Sequence, residues 1–337
     1  MRLHALEHLH PIWFVPVMGT TGLALAWRQA QPLLGEGALW VSAALGAFAA
    51  LAFVVLALLT AWRQWRWPQS LRIEWMHPVR YVFLAAPSAS LILLATLGLA
   101  LEPLHALPRG LWDALWCTGA VLQAVVTLGV LWRWQRLRAA RWPGVTPGLL
   151  IPVVGNVLVP LGGEALGHGD WAWLQWAVGV ALWPLVLWLL WQRLQRIGPW
   201  PARLRASVFV LIAPPSVIGL GLLLAGAPVG WSLALWGLAL AFVVLALRQL
   251  PGCFEQAFGM PMWSLSFPLA AFATLSVRLA QTGVLPGWLA MLALALASMV
   301  VAALLRWTAW GLRRGDLLQP EPSPVGAPPP PAARAAA

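Results

Sequence analysis

Long apolar runs separated by short polar segments make up almost the whole chain. Ten of them can be marked, at 11–29, 37–61, 78–101, 111–132, 147–167, 171–191, 206–227, 230–248, 259–283 and 286–307. Each is close to the roughly 20 residues that carry a helix across a bilayer. The runs are continuous, whereas the strands of a membrane barrel alternate over about ten residues. Lipid admits only backbone that satisfies its own hydrogen bonds. The pattern therefore predicts an all-α polytopic membrane protein with ten transmembrane helices. Residues 1–10 form a short N-terminal lead, 11–315 the membrane domain and 316–337 a Pro/Ala-rich tail. The lead has charges and three His but no apolar run before Pro11, so the first run is expected to remain as an anchor. The tail is too rich in Pro to pack and is expected to be disordered.

Composition agrees. Of 337 residues, 61% are hydrophobic and only 9% charged, against about a quarter charged in soluble domains. That excludes a soluble enzyme, a disordered protein and a disulfide scaffold. The two Cys, at 117 and 253, lie in different settings and imply neither a disulfide nor a metal site.

The formal net charge of +11 comes from 21 basic residues, every one an Arg. They are not spread evenly. Arg63, Arg66 and Arg72 follow the second run, and Arg133, Arg136, Arg138 and Arg141 the fourth. Arg193, Arg196, Arg203 and Arg205 follow the sixth, Arg248 the eighth, and Arg306, Arg313 and Arg314 the tenth. With ten spans these all fall on one side. The opposite loops carry Glu36, Glu102, Asp113, Glu164 and Asp170 with Arg109. The positive-inside rule makes the Arg side cytoplasmic, with both termini inside a bacterial-type inner membrane. The charge is thus a topology signal and not a nucleic-acid footprint. Trp62, Trp65, Trp67, Trp75, Trp132, Trp134, Trp142, Trp112, Trp171 and Trp231 sit near span ends, as interfacial anchors do.

Proline adds a hidden period. Runs 1, 3, 5, 7 and 9 contain Pro16, Pro87, Pro152, Pro214 with Pro215, and Pro268, whereas runs 2, 4 and 8 contain none. Pro184 in run 6 breaks the rule. A proline inside a helix removes a hydrogen bond and kinks it, and the freed carbonyl then needs protein or water nearby. Five two-helix units are expected, with the odd helices inside and the even ones outside. Small and hydroxylated residues such as Gly19 and Thr20 in run 1 suit close packing or a lumen.

By this assignment no Asp, Glu, Arg or His lies at mid-membrane. Arg80 is at the cytoplasmic start of run 3, and Arg278 and Glu164 are near outer ends. Proton-coupled carriers usually hold ionisable residues within the membrane, so a passive pathway is favoured. The His residues do not face one another, so neither a metal nor a haem is expected. No cofactor and no catalytic constellation can be read.

Specific strings then become informative. Val15-Pro-Val-Met-Gly-Thr-Thr-Gly-Leu-Ala-Leu-Ala-Trp27 resembles the first helix of the tellurite-resistance/C4-dicarboxylate transporter family, which includes the bacterial TehA proteins and the plant slow-type anion channels. His77-Pro-Val-Arg-Tyr-Val-Phe83 resembles its third helix entry. Thr146-Pro147, Pro152 and Asn156 resemble its fifth helix. Arg205-Ala-Ser with Ala213-Pro-Pro-Ser-Val217 resembles its seventh, and Trp263-Ser-Leu-Ser-Phe-Pro-Leu-Ala-Ala271 its ninth. The resemblance implies five helical hairpins in quasi-fivefold arrangement around a central pore, in a homotrimer. It also implies a gated passive channel for small anions, not an enzyme. A carrier or exporter for one anion, such as a C4-dicarboxylate, sulfite or a tellurite-like oxyanion, is the alternative.

The family's pore gate falls on Phe267, with Phe272 as the nearest rival. Pore-lining or kink positions are Pro16, Gly19, Thr20, Pro87, Pro152, Asn156, Pro214, Pro215, Ser266 and Pro268. Arg80 is either an attractor of anions at the inner mouth, a lipid-phosphate anchor or one half of a loop salt bridge.

Overall fold

The computed structural model describes residues 3–104, 106–136, 142, 144–255 and 257–319. The tail from 320 on, Arg138 and Arg141 lie outside the described residues. Helices and short turns account for the structure, with no strand among the described residues. The α-helices are α1 (Val15–Leu34), α2 (Glu36–Arg66), α3 (Ser70–Met76), α4 (Ala85–Ala100), α5 (Arg109–Arg136), α6 (Leu150–Leu158) and α7 (Pro160–Leu166). They continue with α8 (Gly169–Ile197), α9 (Ala213–Leu224), α10 (Val229–Leu247), α11 (Leu250–Cys253), α12 (Ser266–Gln281) and α13 (Gly287–Arg314).

Nine helical stretches among the described residues are long and apolar enough to cross a membrane. They correspond to the second to tenth runs. The first run forms α1, which at 20 residues is long enough but less apolar. Its Gly19-Thr-Thr-Gly22 stretch and its Trp27-Arg-Gln-Ala-Gln31 end dilute it.

Burial divides the nine into two kinds. In the stretches Arg80–Ala100, Pro147–Leu166, Leu204–Leu224 and Met260–Gln281, 78% to 89% of the most apolar residues are buried inside the protein. In those containing α2, α5, α8, α10 and α13 only 17% to 33% are. Twelve of the 20 residues of α1 are also buried. Odd runs are therefore inside and even runs outside, as the proline period suggests. The outer helices present Leu, Val, Trp and Met side chains such as Leu51, Val125, Trp188 and Met299 to their surroundings. That is the surface a lipid-facing helix requires. The buried helices touch one another in a closed circuit: α1 packs on α4, α4 on α6, α6 on α9, α9 on α12, and α12 back on α1. Each also packs on an outer neighbour, α1 on α2, α4 on α5, α6 on α8, α9 on α10 and α12 on α13.

The prolines do not sit where mid-helix kinks would. Each buried stretch opens with a 3-10 turn: Pro11–Phe14, Arg80–Leu84, Pro147–Leu149, Ala202–Ile212 and Met260–Leu265. The α-helix begins directly after it. Pro16 and Pro214 are second in their α-helices, and Pro87, Pro152, Pro215 and Pro268 third. In a first turn the missing N–H is not needed by the α-helical ladder. Proline therefore marks the change from 3-10 to α winding. The prolines inside α-helices are others, Pro32 of α1 and Pro184 of α8.

Candidate functional site: an apolar cavity among the buried helices

Where those windings change, the buried helices line a small cavity of about 30 Å³. Val15 and Met18 of α1 line it, with Ile151 and Val154 of α6. Val210 and Ala213 come from the fourth buried stretch, and Trp263, Ser264, Phe267 and Pro268 from the fifth. Such a volume admits a water molecule or two by size, but apolar walls leave cavities of this kind dry.

Phe267 is second in α12 and only 5% exposed. Its position is fixed from both sides. Ser266 Oγ donates to the Trp263 carbonyl at 2.7 Å, and the buried Trp263 donates from Nε1 to Thr308 Oγ1 of α13 at 2.8 Å. Across from it, α1 offers Gly19 and Gly22. A Cβ at Gly19 would overlap the Ser266 hydroxyl, and one at Gly22 would stand 3.0 Å from Phe267 Cδ2. The glycines are there for close approach of α12. Phe272 points elsewhere: its ring stacks on Trp236 of outer helix α10, with centroids 5.6 Å apart and 18° between planes.

Three hydroxyls of the buried helices are engaged within their own helices. Thr20 Oγ1 donates to the Pro16 carbonyl, Ser216 Oγ to the Ile212 carbonyl and Thr274 Oγ1 to the Ala270 carbonyl, at 2.7–2.8 Å. Donors used in this way are poor ligands for a passing anion. Pro214 and Pro215 are buried, whereas Pro16 and Pro87 are partly exposed.

Asn156 is not among the residues that line the cavity. Its Nδ2 donates to Thr127 Oγ1 of α5 and to the Pro152 carbonyl, each at 2.8 Å. Gln123 Nε2 donates to the same carbonyl at 2.9 Å and Gln123 Oε1 accepts from Ser88 Oγ at 2.8 Å. All four side chains are buried. A buried amide must find partners, and this network supplies them by tying α4, α5 and α6 together.

Arg80, at the entry to the second buried stretch, has a protein partner. Its Nε lies 3.1 Å from Glu74 Oε2, and Arg63 Nη2 lies 3.1 Å from Glu74 Oε1. His10 Nδ1 is 2.7 Å from the same Oε1, while His10 Nε2 is 3.0 Å from Arg80 Nη1. Arginine can only donate, so His10 Nε2 accepts and Nδ1–H donates to Glu74. The Glu74 side chain is fully buried. Burial alone would raise its pKa, but the His10 hydrogen bond and the Arg80 and Arg63 charges outweigh this and hold the carboxyl below its ordinary value. Two Arg against one Glu leave the cluster a net positive charge. Sequence reasoning gave neither Glu74 nor His10 a role. Their 64-residue separation carries no local signal.

Apolar outer helices around a buried circuit, with a small apolar cavity among the buried helices, are the build of an integral membrane protein. The profile of the voltage-dependent anion channel (SLAC1) family matches residues 8–309, and the chain belongs to that family. This is a family of channels and transporters, not of enzymes. The chain is 25% identical over 303 residues to the tellurite resistance protein TehA homolog of Haemophilus influenzae, covering 89% of both chains. It is 25% identical over 296 residues to the S-type anion channel SLAH3 of Arabidopsis thaliana, covering 86% of this chain and 46% of that one. An uncharacterized transporter of Methanocaldococcus jannaschii is 22% identical over 295 residues, covering 79% and 83%.

Proposed function

We propose that the protein is a gated, passive channel for small anions. In this reading its helices are five hairpins in quasi-fivefold order around a pore, and Phe267 is the gate. The observation that carries the proposal is the position of Phe267 in the apolar cavity that four buried stretches share. A hydrophobic constriction closes a pore by excluding water, and a side chain that swings aside reopens it. The stacking of Phe272 on Trp236 supports Phe267 over its rival. Walls of apolar groups and engaged hydroxyls suit conduction, which needs weak binding.

The net positive cluster around Arg80 and the Arg-rich ends of α2, α8 and α13 would raise anion concentration at the cytoplasmic mouth. Both termini lie on that side. Three copies assemble, each with its own pore. Pro16, Gly19, Thr20, Pro87, Pro152, Pro214, Pro215, Ser266 and Pro268 shape the pore wall through the 3-10 to α junctions.

Reconstitution in liposomes with a panel of chloride, nitrate, sulfite and malate tests the proposal. Ohmic flux that follows the anion gradient supports a channel. Saturable flux coupled to a proton gradient would instead make the protein a carrier.

A further inference from the structure

At the opposite end of the helices from the Glu74 cluster, three side chains of different chemistry converge. Asp113 and Cys117 are one turn apart on α5, and His168 directly precedes α8. His168 Nε2 lies 2.7 Å from Asp113 Oδ1 and 3.6 Å from Cys117 Sγ, and Cys117 Sγ lies 3.7 Å from Asp113 Oδ1. We propose that Asp113, Cys117 and His168 form a three-ligand site for a zinc ion.

The distances favour this ion. Zinc holds sulfur at about 2.3 Å and nitrogen or oxygen at about 2.0–2.1 Å, which spaces tetrahedral donors roughly 3.3–3.6 Å apart. Both edges that include Cys117 Sγ already have nearly that length. The third edge, now a hydrogen bond, has to open by only about 0.6 Å to reach the same spacing. Thiolate, imidazole and carboxylate together suit zinc and disfavour magnesium and calcium, which take oxygen alone. On binding, the Cys117 thiol proton leaves to solvent and a sulfur–zinc bond replaces it.

The surrounding structure holds the ligands in place. The His168 ring lies flat on Trp116, with centroids 5.1 Å apart and 6° between planes. Trp116 is itself buried and donates from Nε1 to the Val159 carbonyl at 3.0 Å. Gly167 takes a φ of +87°, open to glycine at little cost, and this turns the chain from α7 into His168. The His168 amide then donates to the Gly163 carbonyl at 2.9 Å. Access is available too, since the His168 and Asp113 side chains are 35% and 44% exposed. Three protein ligands with one side of the site uncovered is the arrangement of an open zinc site rather than a closed structural one. A bound ion would staple α5 to the start of α8.

The test uses the full-length, tag-free protein in detergent micelles, with Co²⁺ as a spectroscopic stand-in and Zn²⁺ as competitor. The expected result is one Co²⁺ per chain, with a thiolate charge-transfer band and tetrahedral d–d absorbance that Zn²⁺ abolishes. Cys117→Ser should remove the band and Cys253→Ser should keep it. His168→Gln, which alters a residue in the turn before α8, should weaken Co²⁺ binding at least tenfold and covers the case of a serine variant that does not fold. Folded wild-type protein without a thiolate band at equimolar Co²⁺ would overturn the proposal. So would a band that survives either Cys117→Ser or His168→Gln unchanged.

Discussion

Phe267 of α12 rests on the bare backbone of Gly22 in α1: a methyl group at position 22 would stand 3.0 Å from Phe267 Cδ2 and 3.4 Å from Ala270 Cβ. The distance sets two effects against each other. Alanine in place of a helical glycine gains about 1 kcal/mol of helix propensity, whereas overpacking a tight contact costs about 1–3 kcal/mol. Gly22→Ala should therefore leave stability unchanged or lower it by up to about 2 kcal/mol in the wild type. In a Phe267→Ala background the clash is gone, and the same change should stabilise by up to about 1 kcal/mol. Thermal unfolding of the four proteins in this cycle measures the coupling. Equal effects of Gly22→Ala in both backgrounds would show that the two residues do not meet.

Asn156 has a structural task of its own among the buried helices. The family resemblance sets it on the pore wall, but its amide donates to Thr127 of α5. Asn156→Ala takes the Asn156 donor from Thr127 Oγ1 in a buried site and leaves the Pro152 carbonyl with Gln123 as its side-chain donor, at a cost of about 1–3 kcal/mol. A lower unfolding temperature with unaltered anion selectivity in liposomes is the expected outcome. A change in selectivity at normal stability would return Asn156 to the pore wall.

Glu74 makes stability depend on pH. Its folded-state pKa lies below the ordinary carboxylate value of 4.5, so near that pH the folded protein binds fewer protons than the unfolded chain. The stabilisation is complete above about pH 4.5 and is lost as the pH falls through the folded-state value. Glu74→Gln should destabilise at pH 7 by about 3–5 kcal/mol, since Arg63 and Arg80 are left without their anion. The variant should also lose less stability than the wild type between pH 6 and pH 3, taken as roughly the carboxylate range. Unfolding midpoints across that range check both statements.

The inside–outside alternation was legible in the sequence because proline and apolar runs are local signals. The odd runs announce themselves by Pro16, Pro87, Pro152, Pro214 and Pro268, and all five helices that follow are buried. What proline does there was not legible. An isolated proline in an apolar run reads as a kink, and only the coordinates reveal a 3-10 turn ending just before it. Gly19 was readable as a close-packing position, but its neighbour Ser266 lies 247 residues away and only the fold brings it near. The Glu74 and Asp113 clusters escaped for the same reason. His10 and His168 do not meet other histidines; their partners are a carboxylate on α3 in one case and a carboxylate and a thiol on α5 in the other.

The central claim is that the Phe267 ring closes the pathway, and anion flux through Phe267→Ala in liposomes tests it most directly. Loss of a buried Phe costs about 3–5 kcal/mol, so Phe267→Leu accompanies it as a better-packed control, and both are first shown to be folded by thermal unfolding. The expected result is a large rise in flux down the anion gradient for the alanine variant and a smaller one for the leucine variant. A folded Phe267→Ala protein that passes anions no faster than the wild type would contradict the account.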